Sequence, residues 1–223
     1  ENLYQNGHHV IGLDIKKNKK IKKYENIKIN LSDEKKLKNL INKISLKYKK
    51  IDTVINCIYP YSKNWGKKID SITKKDLNHH FSIHLSDCII QTKLFVQKFK
   101  KQNFGNFIYL SSIQGLSAPK FDHYKGTSMS SCIEYSIIKA GIINMTKYLA
   151  RFYKKQKIRF NSISLGGIES NQPKKFKKKY REACLSKGLL DPEDIHSAVD
   201  FLISDKSNFV NGQNIIVDDG WSL

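Results

Sequence analysis

Short apolar segments alternate with longer amphipathic segments along almost all of this chain of 223 residues. Brief apolar runs that end in polar side chains are typical of buried strands, whereas apolar residues at every third or fourth position are typical of helices. Their regular alternation predicts one α/β domain, a single doubly wound parallel sheet with helices on both faces. The predicted strands are 9–15, 27–31, 51–58, 106–111, 158–164 and 214–217, and the predicted helices are 32–48, 74–102, 131–153, 174–187 and 191–202.

Polar residues stand where several predicted strands end. Asp14, Asn30, Asn56, Ser112 and the segment 164–170 lie at or just beyond these ends. Because ligands of open parallel sheets bind beyond the carboxyl ends of the strands, these residues are candidates for a binding site.

Tyr135 and Lys139 are four residues apart in a predicted helix, so they share one helical face. A phenol with an ordinary pKa of about 10 is a poor base near neutral pH, but a nearby cation favours its ionised form. The pair is a candidate for moving a proton on or off an alcohol, with the Ser112 hydroxyl orienting the substrate oxygen. Ser131 and Glu134 match a capping box, which predicts Ser131 as the N-cap of this helix.

Composition restricts the other functional classes. No apolar run approaches the length of a membrane span, and the four cysteines lack metal-ligand spacing. We therefore expect a cytoplasmic protein with reduced thiols, no metal and no membrane partner. The formal charge of +20 would suit a nucleic-acid binder, but only Arg151, Arg159 and Arg181 of the 40 basic residues are arginines. Arginine is the usual reader of bases and phosphates, so no specific nucleic-acid partner is expected.

Four short motifs follow one another along the chain. They are Ser-Ser-Ile-Gln-Gly at 111–115, Tyr-Ser-Ile-Ile-Lys at 135–139, Leu-Gly-Gly-Ile-Glu-Ser at 165–170 and Val-Asp-Asp-Gly-Trp at 217–221. Together they resemble the classical short-chain dehydrogenase/reductase family, in particular its flagellin-modification and surface-sugar subgroup. The resemblance spans about residues 6–223 and implies a Rossmann-like fold and alcohol–ketone interconversion by hydride transfer. It implies that Ser112 and Tyr135 act on the substrate oxygen, while Lys139 lowers the tyrosine pKa and holds the nicotinamide ribose.

The resemblance also implies a nicotinamide cofactor. Asp14 occupies the strand end where a carboxylate accepts hydrogen bonds from the adenosine ribose and repels a 2′-phosphate, which favours NAD over NADP. Lys16 and Lys17 follow directly and leave NADP open. The positions implied to bind the cofactor are Asp14, Asn30, Leu31, Asn56, Cys57, Ile58, Tyr135, Lys139, Gly166, Ile168 and Ser170.

Two positions depart from the family pattern. His84 stands where the family carries a catalytic asparagine, and a histidine there would hold a relay water or simply pack in its helix. Tyr59 stands where glycine is usual and would crowd the nicotinamide side of the site. The Gly-rich phosphate-binding turn of the family is absent from the sequence. We expect that residues 1–5 are a remnant of a protease-site tag, and that the first strand and this turn belong before residue 6.

The sequence narrows the substrate only weakly. The basic segment 174–181 favours an anionic substrate such as a sugar phosphate or nucleotide sugar, or is a solvated helix. Two alternatives stay open: a non-catalytic Rossmann-fold nucleotide binder and a 3-oxoacyl-type reductase. Relatives are commonly tetramers whose subunits meet through the two long helices, so a homodimer or homotetramer is expected. Apolar residues available for that interface or for the core are Leu77, Phe81, Leu85, Phe95 and Ile142.

Overall fold

The chain is described from a computed structural model over residues 1–16 and 23–223, so Lys17 lies outside the described residues. Within them, all pairings between named strands are parallel, as predicted. The strands are β1 (Ile11–Asp14), β2 (Glu25–Lys28), β3 (Thr53–Asn56), β4 (Gly105–Ser112), β5 (Ile158–Leu165) and β6 (Asn214–Val217).

The strands form two hydrogen-bonded groups. β1 pairs with β2, and the other four run in the order β3-β4-β5-β6. Leu13 of β1 and Val54 of β3 nevertheless pack against one hydrophobic cluster, so the two groups share a core.

Helices follow the strands in alternation. The predicted helix 74–102 is helical throughout, but its residues Ser82–Ser86 form a π-helical segment between two α-helical parts. The second helix is capped by the Asp33 side chain, which accepts from the Lys36 amide, rather than by Ser32. No helix among the described residues is long and apolar enough to cross a membrane. The helices are α1 (Asn2–Gln5), α2 (Glu34–Tyr48), α3 (Lys74–Phe81), α4 (Asp87–Gln102), α5 (Ile133–Phe152), α6 (Lys174–Glu182) and α7 (His196–Ile203).

Alternate side chains of β4 and β5 pack on opposite faces of the sheet, as strand geometry requires. Phe107 and Phe160 stack at 5.9 Å between ring centroids, on the side covered by α2, α4 and α5. Ile108 and Ile163 point to the other side and pack with Leu202 of α7. The sheet is therefore covered by helices on both faces, which confirms the predicted fold class.

Most apolar residues considered for a subunit interface lie in the core. Phe95 and Ile142 are buried, and Phe81 and Leu85 pack against the same cluster. The exposed apolar side chains on α4 and α5 are different ones, among them Ile89, Ile137, Tyr148 and Phe152.

The segment expected to be a tag remnant forms α1. Its Asn2 side chain donates to the Asp200 carboxylate at 3.1 Å, which ties α1 to α7. The assignment of residues 1–5 to a tag stays a prediction.

Candidate active site

Helix α5 carries Tyr135 and Lys139, but it does not begin as the capping box predicted. It starts at Ile133 with Cys132 as N-cap and no side-chain cap. Ser131 instead donates to the Gln114 side chain at 2.6 Å, and Glu134 turns into the interior, where it is fully buried. Partners distant in sequence therefore replace the local capping bonds.

Lys139 is a buried cation beside the Tyr135 ring. Its side chain is 7% exposed, and its Nζ lies 5.6 Å from the centroid of that ring. The same Nζ donates to the Leu110 carbonyl of β4 at 2.8 Å. Burial lowers the pKa of Lys139 to about 8. An ammonium group has three donors, so this lysine retains capacity for further acceptors.

Tyr135 is half-buried, and burial raises the pKa of its phenol, while its hydrogen bond with the Ser112 side chain works in the opposite direction. We expected the lysine to lower this pKa. Desolvation is instead the largest influence on it, and Lys139 does not contribute to the shift. The phenol is therefore protonated at neutral pH.

The end of β4 brings Ser112 close to α5. The Ser111 hydroxyl donates to the Lys139 carbonyl at 2.9 Å. Gly115 makes the approach possible, because a Cβ there would lie 2.6 Å from the Lys139 backbone carbon and 2.7 Å from the Ala140 nitrogen. The glycine of the Ser-Ser-Ile-Gln-Gly motif is therefore required by packing between backbones.

His84 lies in the π-helical segment, a feature often found at functional sites. It is buried, and its Nε2 has no hydrogen-bond partner among the described residues. Burial lowers its pKa to about 4, with the Lys139 charge acting in the same direction. His84 borders a cavity of about 10 Å³ together with Asn56, Gln91 and Leu110. That volume suits about one water molecule.

An aromatic wall formed by Tyr59 and Trp65 faces Tyr135. The Tyr59 ring lies 5.8 Å from the Tyr135 ring and 5.7 Å from His84. The Trp65 indole stacks on His84 at 4.6 Å and donates to the Tyr59 hydroxyl at 2.8 Å. Crowding by Tyr59 was predicted from the sequence. The contact of Trp65 with Tyr135 was not, because the two residues are 70 positions apart in the sequence.

The other positions that the sequence predicted to bind a cofactor fall into two groups, those that are exposed and those whose polar atoms already bond within the protein. Asp14 is exposed at the end of β1, where its Oδ1 accepts from the Lys16 amide at 2.7 Å. Asn30 accepts from the Ser32 amide at 3.1 Å, and Cys57 is exposed beyond β3. The Asn56 side chain is engaged within the protein, because it donates to Gln91 and accepts from the Ile58 amide. Leu31 contributes its carbonyl as an acceptor for Gln91.

The loop after β5 is closely packed. A Cβ at Gly166 would lie 2.9 Å from the Asp218 Cα, so glycine lets this strand end approach the turn after β6. Gln172 holds the following residues, since it donates to the Ile168 carbonyl and accepts from the Ser170 amide, both at 2.7 Å. The Ser170 position is exposed.

Helix α6 is amphipathic rather than wholly polar. Phe176 and Tyr180 are buried against Trp221, and the Tyr180 hydroxyl accepts from the Gly167 amide at 2.6 Å. Its outer face lines an open cleft of about 580 Å³ with Lys177, Lys178, Arg181, Glu182 and Ser186.

Comparison with known proteins identifies relatives of this architecture. A family model described as enoyl-(acyl carrier protein) reductase matches residues 1–222. The chain is 43% identical to post-translational flagellin modification protein A of Campylobacter coli, over 88% of this chain and 77% of that protein. It is 29% identical to a 3-oxoacyl-(acyl-carrier-protein) reductase of Thermotoga maritima, over 86% of this chain and 74% of that protein.

Solved structures agree. A short chain dehydrogenase from Leptospira borgpetersenii with bound NAD⁺ superposes with a TM-score of 0.88 at 28% identity, covering 99% of this chain and 85% of that one. A 4-hydroxyisoleucine dehydrogenase complexed with NADH has a TM-score of 0.80 at 24% identity, over 97% of this chain and 88% of that one, and shows the fold alone. The chain belongs to the short-chain dehydrogenase/reductase family, whose members are NAD(P)-dependent dehydrogenases and reductases.

Proposed function

We propose that the protein interconverts an alcohol and a ketone by hydride transfer with NAD, using Ser112, Tyr135 and Lys139. The observation that carries this proposal is the buried ammonium of Lys139 beside the Tyr135 ring, together with the Ser112 side chain, whose interaction with the same phenol opposes the rise in its pKa. Substrate binding at the Tyr135 hydroxyl would place the reacting oxygen within reach of two hydroxyl groups.

The residues present fit a nicotinamide nucleotide. Lys139 uses one of its three donors on Leu110, which leaves donors for ribose hydroxyls. Asp14 is an exposed carboxylate at a strand end, where it can accept hydrogen bonds from the hydroxyl groups of an adenosine ribose. The similar protein from Leptospira borgpetersenii carries NAD⁺. These observations support NAD as the cofactor, with NADP as the alternative to be tested.

In the reducing direction, Tyr135 donates its proton to the carbonyl oxygen of the substrate. Ser112 donates a hydrogen bond to the same oxygen and orients it. When bound, NADH would supply the hydride for the carbonyl carbon. Lys139 stabilises the phenolate that remains on Tyr135, because its positive charge lies beside the ring.

His84 supports the return of a proton to Tyr135. Its depressed pKa keeps the ring neutral at pH 7, its Nε2 has no hydrogen-bond partner among the described residues, and His84 lines the small cavity together with Leu110. Since Leu110 also accepts from Lys139, a water in that cavity would connect His84 with the lysine. This arrangement supports a role for His84 in place of the family's asparagine.

The substrate that we propose is an anionic sugar, such as a sugar phosphate or nucleotide sugar used in modifying flagellin or a surface glycan. The flagellin modification protein of Campylobacter coli supports the carbohydrate class. The cationic cleft on α6, with Lys178 and Arg181 among its lining residues, supports the negative charge.

The test uses a panel of keto sugars, with and without phosphate, and follows NADH oxidation. Replacing Lys177, Lys178 and Arg181, the basic residues that line the cleft, by alanine should raise KM for the phosphorylated substrates and leave KM for the neutral ones unchanged. Alanine replacements of Lys35, Lys38 and Lys43, exposed on α2, provide the charge-matched control. Equal KM values in the two triple variants would refute the anion site.

A second candidate is a 3-oxoacyl-type reductase, supported by the relative from Thermotoga maritima. The same assay decides between the two, because an acetoacetyl thioester would then be turned over more efficiently than any keto sugar. Binding of NADH without turnover of any compound in the panel would instead favour a non-catalytic nucleotide binder.

We also propose a homodimer or homotetramer. The exposed rings of Tyr148 and Phe152 stack on α5 at 5.9 Å, and Ile89 and Ile137 add exposed apolar surface on α4 and α5. Light scattering after size-exclusion chromatography gives the assembly mass, and a monomer at micromolar concentration would contradict the proposal.

A further inference from the structure

Ser62, His80 and Glu134 form a buried chain of polar contacts that the proposed reaction does not use. The Ser62 hydroxyl lies 2.7 Å from Nε2 of His80, and Nδ1 of His80 lies 3.2 Å from Oε1 of Glu134. His80 and Glu134 are both 0% exposed. The chain crosses three parts of the fold, from the loop after β3 through α3 to the first turn of α5.

The Glu134 carboxylate lies against this histidine and near the Cys132 thiol, whose pKa it helps to raise. Among the described residues, neither Nδ1 of His80 nor the two Glu134 oxygens have an aligned hydrogen-bond partner, but Nδ1 and Oε1 are within ion-pairing distance. Buried carboxylates need a donor or a cation, because burial removes their hydration. A hydrogen on Nδ1 serves Glu134 and leaves Nε2 to interact with Ser62. The three groups therefore hold one another in place.

The loop held by Ser62 carries the aromatic wall. Trp65 packs its indole against His80 at 5.0 Å and against His84 at 4.6 Å. The indole then donates to the Tyr59 hydroxyl, and the Tyr59 ring faces Tyr135. Displacement of Ser62 would thus be transmitted through Trp65 to the side of the site that faces Tyr135.

The other end of the chain reaches Tyr135 through the backbone. Glu134 immediately precedes Tyr135 in the first turn of α5, whose N-cap lacks a side-chain hydrogen bond. The contact with His80 is therefore a tertiary contact at a helix start that has no side-chain cap. His80 thus contacts both the wall, through Trp65, and the first turn of the helix that carries Tyr135.

We propose that Glu134 and His80 are positioning residues that, through Ser62, hold the Tyr59–Trp65 wall at a fixed distance from Tyr135. This inference rests on the proposed function, because the wall borders the substrate only if Tyr135 is the catalytic acid. The pair makes no contact with the reacting atoms and acts through the loop and the helix start.

The first experiment uses Trp65 fluorescence to measure how tightly the wall is packed in the free protein, without turnover. The emission of Trp65 is obtained as the difference between each protein and its Trp65→Phe version, since Trp221 also emits. Ser62→Ala and Glu134→Gln should shift the Trp65 emission to longer wavelength and increase its quenching by acrylamide at least about twofold. Two control variants should have the emission and quenching of the parent. Ser62→Thr keeps the hydroxyl, and Glu34→Gln changes an exposed ion pair with Lys93.

The second experiment measures how loosening of the wall affects catalysis. Ser62→Ala should lower kcat about 10- to 100-fold, because misplacement of a catalytic group by about 1 Å costs that much, while the Kd for NADH stays unchanged. Ser62→Thr should restore kcat. Because Ser62 is half-buried in a loop, we expect Ser62→Ala to fold. This variant therefore tests the inference even if Glu134→Gln fails to fold.

Parent-like Trp65 emission and quenching in Ser62→Ala would overturn the inference. A loosened wall with unchanged kcat would overturn the positioning role, since the wall would then not matter to Tyr135. A loosened wall in a protein whose parent shows no turnover at all would support the structural coupling and count against the proposed function instead.

Discussion

The Nζ atom of Lys139 lies 5.6 Å from the centroid of the Tyr135 ring, and both side chains project from the same face of α5. The ammonium is 7% exposed and is held by the Leu110 carbonyl. Burying a charge in this way costs stability, which is typical of groups retained for function.

The buried charge of Lys139 makes stability depend on pH. Folding lowers its pKa from 10.5 to about 8, so between these values the unfolded chain binds a proton that the folded protein has released. Stability attributable to this residue therefore rises with pH through that window, by about 3 kcal/mol in all. Urea denaturation at pH 7 and pH 10.5 should show this gain in the parent relative to Lys139→Met. A difference between the two proteins that is constant with pH would contradict the buried charge.

Gly115 is predicted to be intolerant of a side chain. Gly115→Ala should cost about 1–3 kcal/mol, because the new Cβ meets the backbone of Lys139 and Ala140, which cannot yield. Activity should fall further than stability, since Ser112 moves away from Tyr135. Gly141→Ala is the control. Gly141 lies on α5, the helix that Gly115 approaches, and a Cβ there would meet only the Leu85 side chain, at 3.3 Å. Thermal unfolding and kcat compare the two, and equal effects would refute the close-packing argument.

His84 should be replaceable by another neutral hydrogen-bonding group. Its pKa of about 4 keeps it uncharged at pH 7, so His84→Asn should retain kcat within about tenfold. His84→Ala removes the polar atom beside the cavity and should lower kcat about 100-fold. His79→Ala, an exposed neighbour on α3, should have no effect. Full activity in His84→Ala would show that this histidine only packs.

Asp14 should select between the two nicotinamide nucleotides. Asp14→Asn keeps an acceptor for the Lys16 amide but removes the charge that repels a 2′-phosphate. The ratio of Kd for NADPH to Kd for NADH, measured by NADH and NADPH fluorescence, should fall at least about tenfold. Asp52→Asn, an exposed acid just before β3, should leave the ratio unchanged, and an unchanged ratio in Asp14→Asn would contradict the assignment.

Local patterns predicted the strands, the helices and the Tyr135–Lys139 pair. Apolar periodicity defines α5 through buried residues such as Ile138 and Ile142, and four-residue spacing on a helix determines which side chains are neighbours. Such information is contained within one turn or one strand, so it is visible without tertiary structure.

What could not be predicted depends on partners distant in sequence. The capping box failed because Ser131 binds Gln114 and Glu134 meets His80. The raised pKa of Tyr135 follows from burial, which a spacing argument does not measure. The four-residue spacing of His80 and His84 was available in the sequence, but nothing in it indicated that Trp65 packs against both.

Tyr135 is proposed as the proton donor of an NAD-dependent reduction. Its role is measured by kcat for NADH-dependent reduction of the best keto sugar by Tyr135→Phe, with the Kd for NADH and the unfolding temperature as controls. We expect kcat to fall at least about 1,000-fold, while the fold and NADH binding stay intact. Turnover within about tenfold of the parent would show that Tyr135 is not the proton donor.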